Sequence, residues 1–199
     1  MSSRSRRTAQ AEETRRLIVD AARRLFTERG YGATSIAQIA GEAGVAVPTV
    51  YASVGTKPTL LRLLLDRIDE EAGIAELASE LRSATSARRV LELEVRITRQ
   101  LAERCGDIIA ALQSAAGVEP EMATAFAAGM ERHRAGAVAT VGRLSQLGKL
   151  RSKLSPTDAA AIVATLCAPA TYATLTGEHG WSFDQCEDWL VDTLRRQLL

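Results

Sequence analysis

Residues 34–57 read TSIAQIAGEAGVAVPTVYASVGTK, and their local signals specify the fold of the N-terminal region. Ser35 and Gln38 have the spacing of a helix-capping box, and apolar residues then recur at helical spacing. After a glycine turn, a second short helix must begin just before Pro48, because proline is tolerated only in the first turn of a helix. Two short helices joined by such a turn form a helix-turn-helix, whose second helix is built to lie in the major groove of DNA.

The sequence around this motif resembles the TetR family of bacterial transcriptional regulators. The matching pieces are RRLIVDAARRLFTERGYGATSI, IAGEAGVAVPTVY and TKPTLL, which together cover Thr14 to Leu65. This combination is far more specific than a bare helix-turn-helix pattern. The resemblance implies an all-α protein, with an N-terminal three-helix DNA-binding head and a C-terminal helical body that binds a ligand and forms the dimer.

The charges are unevenly distributed along the 199 residues, although the net charge is only +1. Residues 1–67 carry 11 Lys and Arg against 6 Asp and Glu, whereas residues 68–199 carry 14 against 18. A basic N-terminal third ahead of an acidic remainder suits a small DNA-binding head attached to a body with another role.

The composition also predicts the compartment. The three cysteines are scattered, odd in number and set among apolar neighbours, so we expect them to be reduced core residues. The start of the chain lacks the apolar run of a signal peptide, and no stretch approaches the roughly 20 apolar residues of a membrane span. We therefore predict a soluble cytoplasmic protein that does not enter the membrane.

Helical periodicity continues to the end of the chain, and we predict about nine helices and no strands. Residues 1–13 are polar and lack apolar periodicity, which predicts a flexible basic arm. We further predict the helix-turn-helix domain at 14–55, a connecting helix at 56–73, and a ligand-binding and dimerisation domain at 74–199. In the family the connecting helix joins head and body, which implies that its tilt carries a change in the body to the DNA.

Glycine and proline residues divide the body into helices. Gly106 predicts a break between two helices, and Pro169 predicts a kink in a later one. The predicted body helices span 87–105, 107–116, 120–147, 156–177 and the residues after the capping Ser182.

The resemblance assigns the DNA contacts residue by residue. Base edges would be read by Val47, Pro48, Thr49 and Ala52, and the DNA backbone would be held by Ser35, Thr49, Tyr51 and Lys57. Hydroxyls and an ammonium can grip phosphates, whereas apolar groups can contact thymine methyls. Many relatives carry a histidine and an aromatic residue where this chain has Ser53 and Val54, so the identity of the bases stays open.

A ligand pocket in the body is implied by the resemblance, and the sequence supplies the candidate residues Glu94, Phe126, Met130, His133 and Thr140. Glu94 is the most informative, because it falls on the apolar side of its helix, where a carboxylate is costly unless paired. Either it meets an arginine within the body, or it awaits a cationic or hydroxylated ligand. The Met and Phe side chains equally fit an ordinary core, and His133 equally fits a satisfied core histidine.

The last two helical segments predict a homodimer interface. The segment AAAIVATLCAPATYATL is apolar on nearly every side, which implies burial on more than one side. The last helix adds an apolar face formed by Trp189, Leu190, Thr193 and Leu194. Pairing these surfaces with their two-fold mates would make a four-helix interface that holds two heads on one palindromic operator.

No catalytic or metal-binding pattern is recognisable, so we predict no enzymatic activity, no cofactor and no metal site. His133 and His179 have no neighbouring cysteine or acid at metal-ligand spacing. We therefore predict a ligand-responsive transcriptional regulator, and we expect a repressor that a small molecule releases from its operator. The alternative is a helical small-molecule-binding or partner-binding protein whose degenerate head no longer contacts DNA.

Overall fold

The computed structural model describes the backbone of residues 3–199 and the side chains of residues 6–199. Within this part all regular structure is helical, which confirms the predicted all-α class. A π-helical segment (Thr174–Glu178) precedes the last helix. The α-helices are α1 (Ser3–Arg29), α2 (Ile36–Glu42), α3 (Val47–Val54), α4 (Lys57–Leu65), α5 (Ile68–Glu71), α6 (Ile74–Ser83), α7 (Ala87–Ala116), α8 (Pro120–Gln146), α9 (Pro156–Leu166), α10 (Pro169–Ala173) and α11 (Phe183–Leu198).

The first helix is longer than the sequence predicts. It begins at Ser3, so residues 3–13 are helical, and this corrects the flexible arm predicted for 1–13. Residues 1–2 lie outside the described residues. The segment is rich in Arg, Ala, Gln and Glu, which have high intrinsic helix propensity, and an apolar face is not required to extend a helix that is already nucleated. Arg6 and Arg7 are exposed on this extension.

Two helix boundaries also differ from the prediction. The predicted connecting helix is broken at Asp66 and Arg67, where the Arg67 amide donates to the Leu64 carbonyl at 3.2 Å in a tighter turn. Neither glycine nor proline marks this break. Conversely, α7 runs without interruption through Gly106, because one interior glycine costs only about 1 kcal/mol and the helix around it is long.

The apolar segment after Pro156 is divided at the predicted place, since α9 ends at Leu166 and α10 begins at Pro169. By length and composition only, the helical stretch Pro156–Glu178 is apolar enough to cross a membrane, which the sequence analysis did not expect of any stretch; core helices of soluble proteins pass the same test. Only 22% of its most apolar window is buried. Its larger apolar side chains are nevertheless buried or half-buried, and the exposed positions carry small or polar residues such as Ala161 and Thr165.

The described chain packs as two compact units, and neither is contiguous in sequence. The first contains the residues up to Arg67 together with 107–126, so the helix-turn-helix shares its unit with the end of α7 and the start of α8. The second contains 68–106 and 127–199. The linear division into head, connecting helix and body does not anticipate that 107–126 belongs with the head.

The core of the first unit fixes which side of α3 is free. The helix buries only Val50 and Val54, which lie on one edge. Because Pro48, Tyr51 and Ala52 are exposed, α3 presents an outward face. The residues that complete this core include Ile18, Ala22 and Phe26 of α1, Ile39 of α2, and Leu60, Leu61 and Leu64 of α4.

Candidate functional site

Local sequence signals set the geometry of the helix-turn-helix. The Ser35 hydroxyl accepts from the Gln38 amide and the Gln38 side chain accepts from the Ser35 amide, so the predicted capping box is confirmed. Gly44 has a φ of 67°, a left-handed conformation that glycine adopts without strain. Pro48 lies in the first turn of α3, as predicted. The angle between α2 and α3 therefore follows from short-range chemistry.

Helix α3 carries five of the seven predicted DNA-contacting residues, and three of these five are exposed. Pro48, Tyr51 and Ala52 are exposed, and Tyr51 has 53% of its surface accessible. Val47 and Thr49 are half-buried. At 100° per residue, positions 48, 49 and 52 lie opposite the buried edge formed by Val50 and Val54. These three residues would therefore face the base edges if α3 entered a major groove.

Lys57, predicted to hold a phosphate, already has internal partners. Its ammonium donates to the carbonyl oxygens of Tyr31 at 2.9 Å and Thr34 at 3.1 Å. It also lies 4.2 Å from the centroid of the buried Tyr31 ring. Because a lysine ammonium has three donors, these two bonds hold the charge in a fixed position and leave one donor for a phosphate.

The exposed Ser35 is engaged in the same way. Its hydroxyl lies 3.1 Å from the Gln38 side-chain oxygen and also accepts the capping bond from the Gln38 amide. A phosphate at this helix start would therefore meet the amides of the first turn of α2 as well as the hydroxyl. The sequence predicts both roles for this side chain: the structure shows the capping bond, and the phosphate contact stays a prediction.

Arginines on α1 hold the ends of both helices of the motif, and the sequence did not single them out. The guanidinium of Arg15 donates to the carbonyl of Ser53, in the last turn of α3, at 2.8 Å. Arg24 donates to the Glu42 carboxylate at the end of α2 at 2.9 Å. The contact from Arg15 joins residues 38 positions apart. No local pattern predicts it, because α1 carries many arginines and only the packing selects one.

Three contacts between a basic or phenolic group of the head and an acid join the head to the 107–126 segment within the first unit, and the Thr27 hydroxyl also donates to Asp107 at 3.4 Å. The Arg23 guanidinium forms a two-pronged ion pair with Asp107 at 2.6 and 2.9 Å. Burial raises the pKa of Asp107, but the Arg23 charge and hydrogen bonds outweigh it and lower that pKa overall. The other two contacts join Tyr31 to Glu119 and Arg62 to Glu121. A basic or phenolic group of the head meets an acid in each case.

In the second unit, Glu94 is buried with 6% of its surface exposed. Its carboxyl group lies 2.5 Å from the hydroxyl of Thr140, on the facing helix α8. No arginine or lysine in the described part of the chain forms an ion pair with Glu94, so the predicted alternative of an internal Arg partner does not occur there. Burial raises the pKa of Glu94, and the Thr140 hydrogen bond and the His133 ring oppose this rise only in part.

Other polar groups adjoin Glu94. The His133 ring nitrogen Nε2 lies 2.7 Å from the carbonyl of Ala164 in α9. The thiol of Cys167 is buried beside the Thr98 hydroxyl, and burial together with the nearby Glu94 raises the pKa of the thiol. Acid, hydroxyl, imidazole and thiol groups therefore converge from α7, α8 and the end of α9.

The remaining two candidate ligand residues fall in different units. Met130 lies in the second unit and is half-buried. Phe126 is also half-buried, but it lies in the first unit. The structure therefore gathers Glu94, His133 and Thr140, and the role of Phe126 stays a prediction.

The predicted dimer interface needs correction. Leu190 and Leu194 are fully buried in the core of their own subunit, because α11 turns every fourth residue inward. Trp189 has 39% of its surface exposed and packs edge-on against Trp181, at 5.8 Å between ring centroids. Thr193 is half-buried. Only Trp189 and Thr193 of the four predicted residues remain available to a partner.

Helix α9, which the prediction also placed in the interface, has an exposed surface of its own. Two shallow apolar grooves, of about 430 and 420 Å³, flank it. Ala161 lines both grooves, and it is exposed together with Thr165. We call this surface the open α9 face. Its lining residues include Val138 and Gly142 of α8, Ala161, Ala164 and Thr165 of α9, and Thr193 and Gln197 of α11.

Comparison with known proteins agrees with the helix-turn-helix assignment. Residues 18–64 match the family described as bacterial regulatory proteins, tetR family, which confirms the resemblance found in the sequence. The HTH-type transcriptional regulator TtgR of Pseudomonas putida is 41% identical over 76 residues, 38% of this chain and 36% of that protein. The HTH-type transcriptional repressor ComR of Escherichia coli is 42% identical over 72 residues, 35% of this chain and 34% of that protein. The match therefore spans about a third of the length of these curated relatives.

Solved structures extend the likeness to the body. A transcriptional regulator of Saccharomonospora viridis in complex with choline is 23% identical, with a TM-score of 0.76, and the match covers 94% of this chain and 98% of that one. At this identity the likeness shows a shared fold and nothing more.

Proposed function

We propose that this chain, whose N-terminal domain is a TetR-family DNA-binding domain, is a transcriptional regulator that binds DNA as a homodimer in the cytoplasm. The observation that carries the proposal is the outward face of α3, which presents Pro48, Thr49 and Ala52 on a helix-turn-helix with intact turns and caps. The match of residues 18–64 to the family argues against the alternative of a degenerate head.

We assign the readout of bases to Val47, Pro48, Thr49 and Ala52, and the phosphate contacts to Ser35, Thr49, Tyr51 and Lys57. The short, mostly apolar side chains of the first set suit close approach to base edges, where methyl contacts discriminate thymine. The hydroxyls and the ammonium of the second set suit phosphate oxygens, which position the protein without reading sequence. Lys57 is the best-placed cation, because its two carbonyl bonds fix its charge before DNA arrives.

The test uses two duplexes. The first is the sequence that the wild-type protein selects from a random pool, called the selected duplex, and the second is a scrambled duplex of the same composition. Lys57→Met keeps an unbranched side chain of similar length and removes the charge. We expect binding to both duplexes to weaken alike, on the order of tenfold at low salt, and the slope of log K against log salt to fall by about 0.9 per head.

Arg62→Met is the matched control, because it removes the same charge from the same helix at a residue already paired with Glu121. We expect its salt slope to equal that of the wild type. Thr49→Ala should instead change the preference between related selected duplexes. An unchanged affinity and slope for Lys57→Met would refute the phosphate role, and failure of the wild type to select any sequence would refute the regulator itself.

We propose that the regulator is a repressor released from a palindromic operator by a small molecule. The Escherichia coli relative ComR is named as a transcriptional repressor. For the effector site we propose Glu94, Met130, His133 and Thr140 in the second unit, because a buried carboxyl group without a cationic partner in the described residues favours a positively charged or hydrogen-bond-donating ligand. Choline, bound by the Saccharomonospora viridis protein, belongs to this class.

A ligand acts by favouring one arrangement of the protein over another. A compound that binds more tightly to the arrangement unable to hold DNA shifts the population away from the operator by that difference in affinity. We propose that the effector of this chain works in this way, and that the α4 helix, which begins at Lys57, is the element whose tilt moves the DNA contacts.

A further inference from the structure

A long side chain from α1 binds the last turn of α3, which also buries Val54. Arg15 donates from its Nη1 atom to the carbonyl oxygen of Ser53 at 2.8 Å. The final carbonyls of any α-helix lack partners within the helix, and they carry its negative dipole end. A guanidinium therefore binds there by a hydrogen bond and by its charge. It connects the outer end of α3 to the helix that forms the back of the head.

The other contacts that hold α3 are apolar or lie outside its last turn. Val50 and Val54 anchor one edge by burial, at positions 50 and 54, and this contact is apolar and does not involve the carbonyl end of the helix. The first turn has no side-chain cap, since its N-cap position is Ala46. The bond from Arg15 lies on the turn that contains Ala52 and Ser53, next to the proposed base-reading surface. It is therefore placed to fix the rotation of that surface.

We infer that Arg15 is a positioning residue of the DNA-reading helix, which holds α3 in the rotation that specific base contacts require. This inference rests on the proposed DNA-binding function. It assigns Arg15 an effect on discrimination between sequences, whereas an arginine that touched a phosphate would affect all sequences alike. The distinction is measurable, because a lost phosphate contact also lowers the salt slope.

Arg16 provides the matched control. It is exposed like Arg15 and adjacent on the same helix, but its guanidinium pairs with Glu13 at 2.6 Å and Asp20 at 3.3 Å on α1 itself. Arg15→Ala and Arg16→Ala therefore remove the same charge from nearly the same place. We expect Arg15→Ala to weaken binding to the selected duplex about tenfold, which corresponds to about 1.4 kcal/mol, and binding to the scrambled duplex less than about twofold. Arg16→Ala should change both less than about twofold.

Hydrogen exchange of the DNA-free proteins is the second measurement on these variants. Peptides covering 47–55 should exchange faster in Arg15→Ala than in Arg16→Ala, because the last turn of α3 loses its tie. Thermal unfolding of both variants shows whether global stability differs, and a general loss of fold would not change the ratio of the two affinities for the folded protein.

Each outcome is decisive. Equal losses on both duplexes with a shallower salt slope would make Arg15 a phosphate contact and overturn the inference. Unchanged hydrogen exchange in peptides covering 47–55 of the DNA-free protein would also overturn it, whatever the two DNA affinities are. If the wild type selected no sequence, the proposed function would fail together with the role in discrimination, and faster exchange would then support only the tie between α1 and α3.

Discussion

The double variant Ala161→Asp/Thr165→Asp is expected to be a folded monomer that has lost operator binding. Both residues are exposed in the single chain and lie one helical turn apart on the open α9 face, so a carboxylate at either position is solvated in the monomer. In a dimer through this face, the charges would be buried without partners at a cost of several kcal/mol. Leu194→Asp is unsuitable for this purpose, because Leu194 lies in the core of its own subunit.

Loss of the dimer should have a large effect on DNA. Two linked heads bind one operator at an effective concentration in the millimolar range, so separating them should reduce affinity for the selected duplex by a factor of about 100 or more. Light scattering gives the mass, and titration of the selected duplex gives the affinity. Ala75→Asp, at an exposed alanine of α6, is the control and should remain dimeric. A double variant that keeps the dimer mass would refute the open α9 face as the interface.

Glu94→Gln is expected to remove a pH-dependent loss of stability. The pKa of Glu94 is raised in the folded state, so folding favours the protonated acid. Its contribution to stability is complete below the ordinary pKa of glutamate and is lost as pH rises through the folded-state pKa, by up to about 1.4 kcal/mol per pH unit. Glutamine keeps a neutral partner for Thr140. We therefore expect equal stability of both proteins near pH 4, and a more stable variant at pH 8.

Chemical denaturation at these two pH values measures the effect. An ion-paired Glu94 would give the opposite sign, because its replacement would leave a buried cation unpaired and destabilise the variant by about 3 to 5 kcal/mol near neutral pH. Thr140→Val is a second variant, since it removes the hydroxyl at 2.5 Å and should raise the pKa of Glu94 further. A pH dependence identical in wild type and Glu94→Gln would show that Glu94 is not the titrating group.

The same variant tests the effector site. Choline and its uncharged carbon analogue 3,3-dimethyl-1-butanol have nearly the same shape, so their difference in binding reports the charge. We expect choline to bind the wild type more tightly as pH rises through the raised pKa of Glu94, because the carboxylate that forms attracts the cation. Glu94→Gln should lose this preference and keep its affinity for the selected duplex. Equal binding of the two compounds to the wild type at pH 8 would exclude a charge contact at Glu94.

Local signals in the sequence are enough to specify the DNA-binding motif, because each of them acts within a few residues. The capping pair Ser35 and Gln38, the left-handed Gly44 and the first-turn Pro48 act on their own backbone neighbours, and the structure has all of them as predicted. The helical period likewise placed Glu94 on the inner side of α7, where it is buried.

Which groups meet across the chain depends instead on how the helices pack. Arg23 joins Asp107 across 84 residues, Tyr31 joins Glu119 across 88, and Glu94 meets Thr140 across 46. Helical periodicity gives the side of a helix that is buried, but it does not say whether that side faces its own core or a second subunit. The period therefore assigns Leu190 and Leu194 to the interface, whereas the packing of α11 places them inside their own subunit. The physical reason is that burial is a property of the assembled helices, whereas capping and turn formation are properties of adjacent residues.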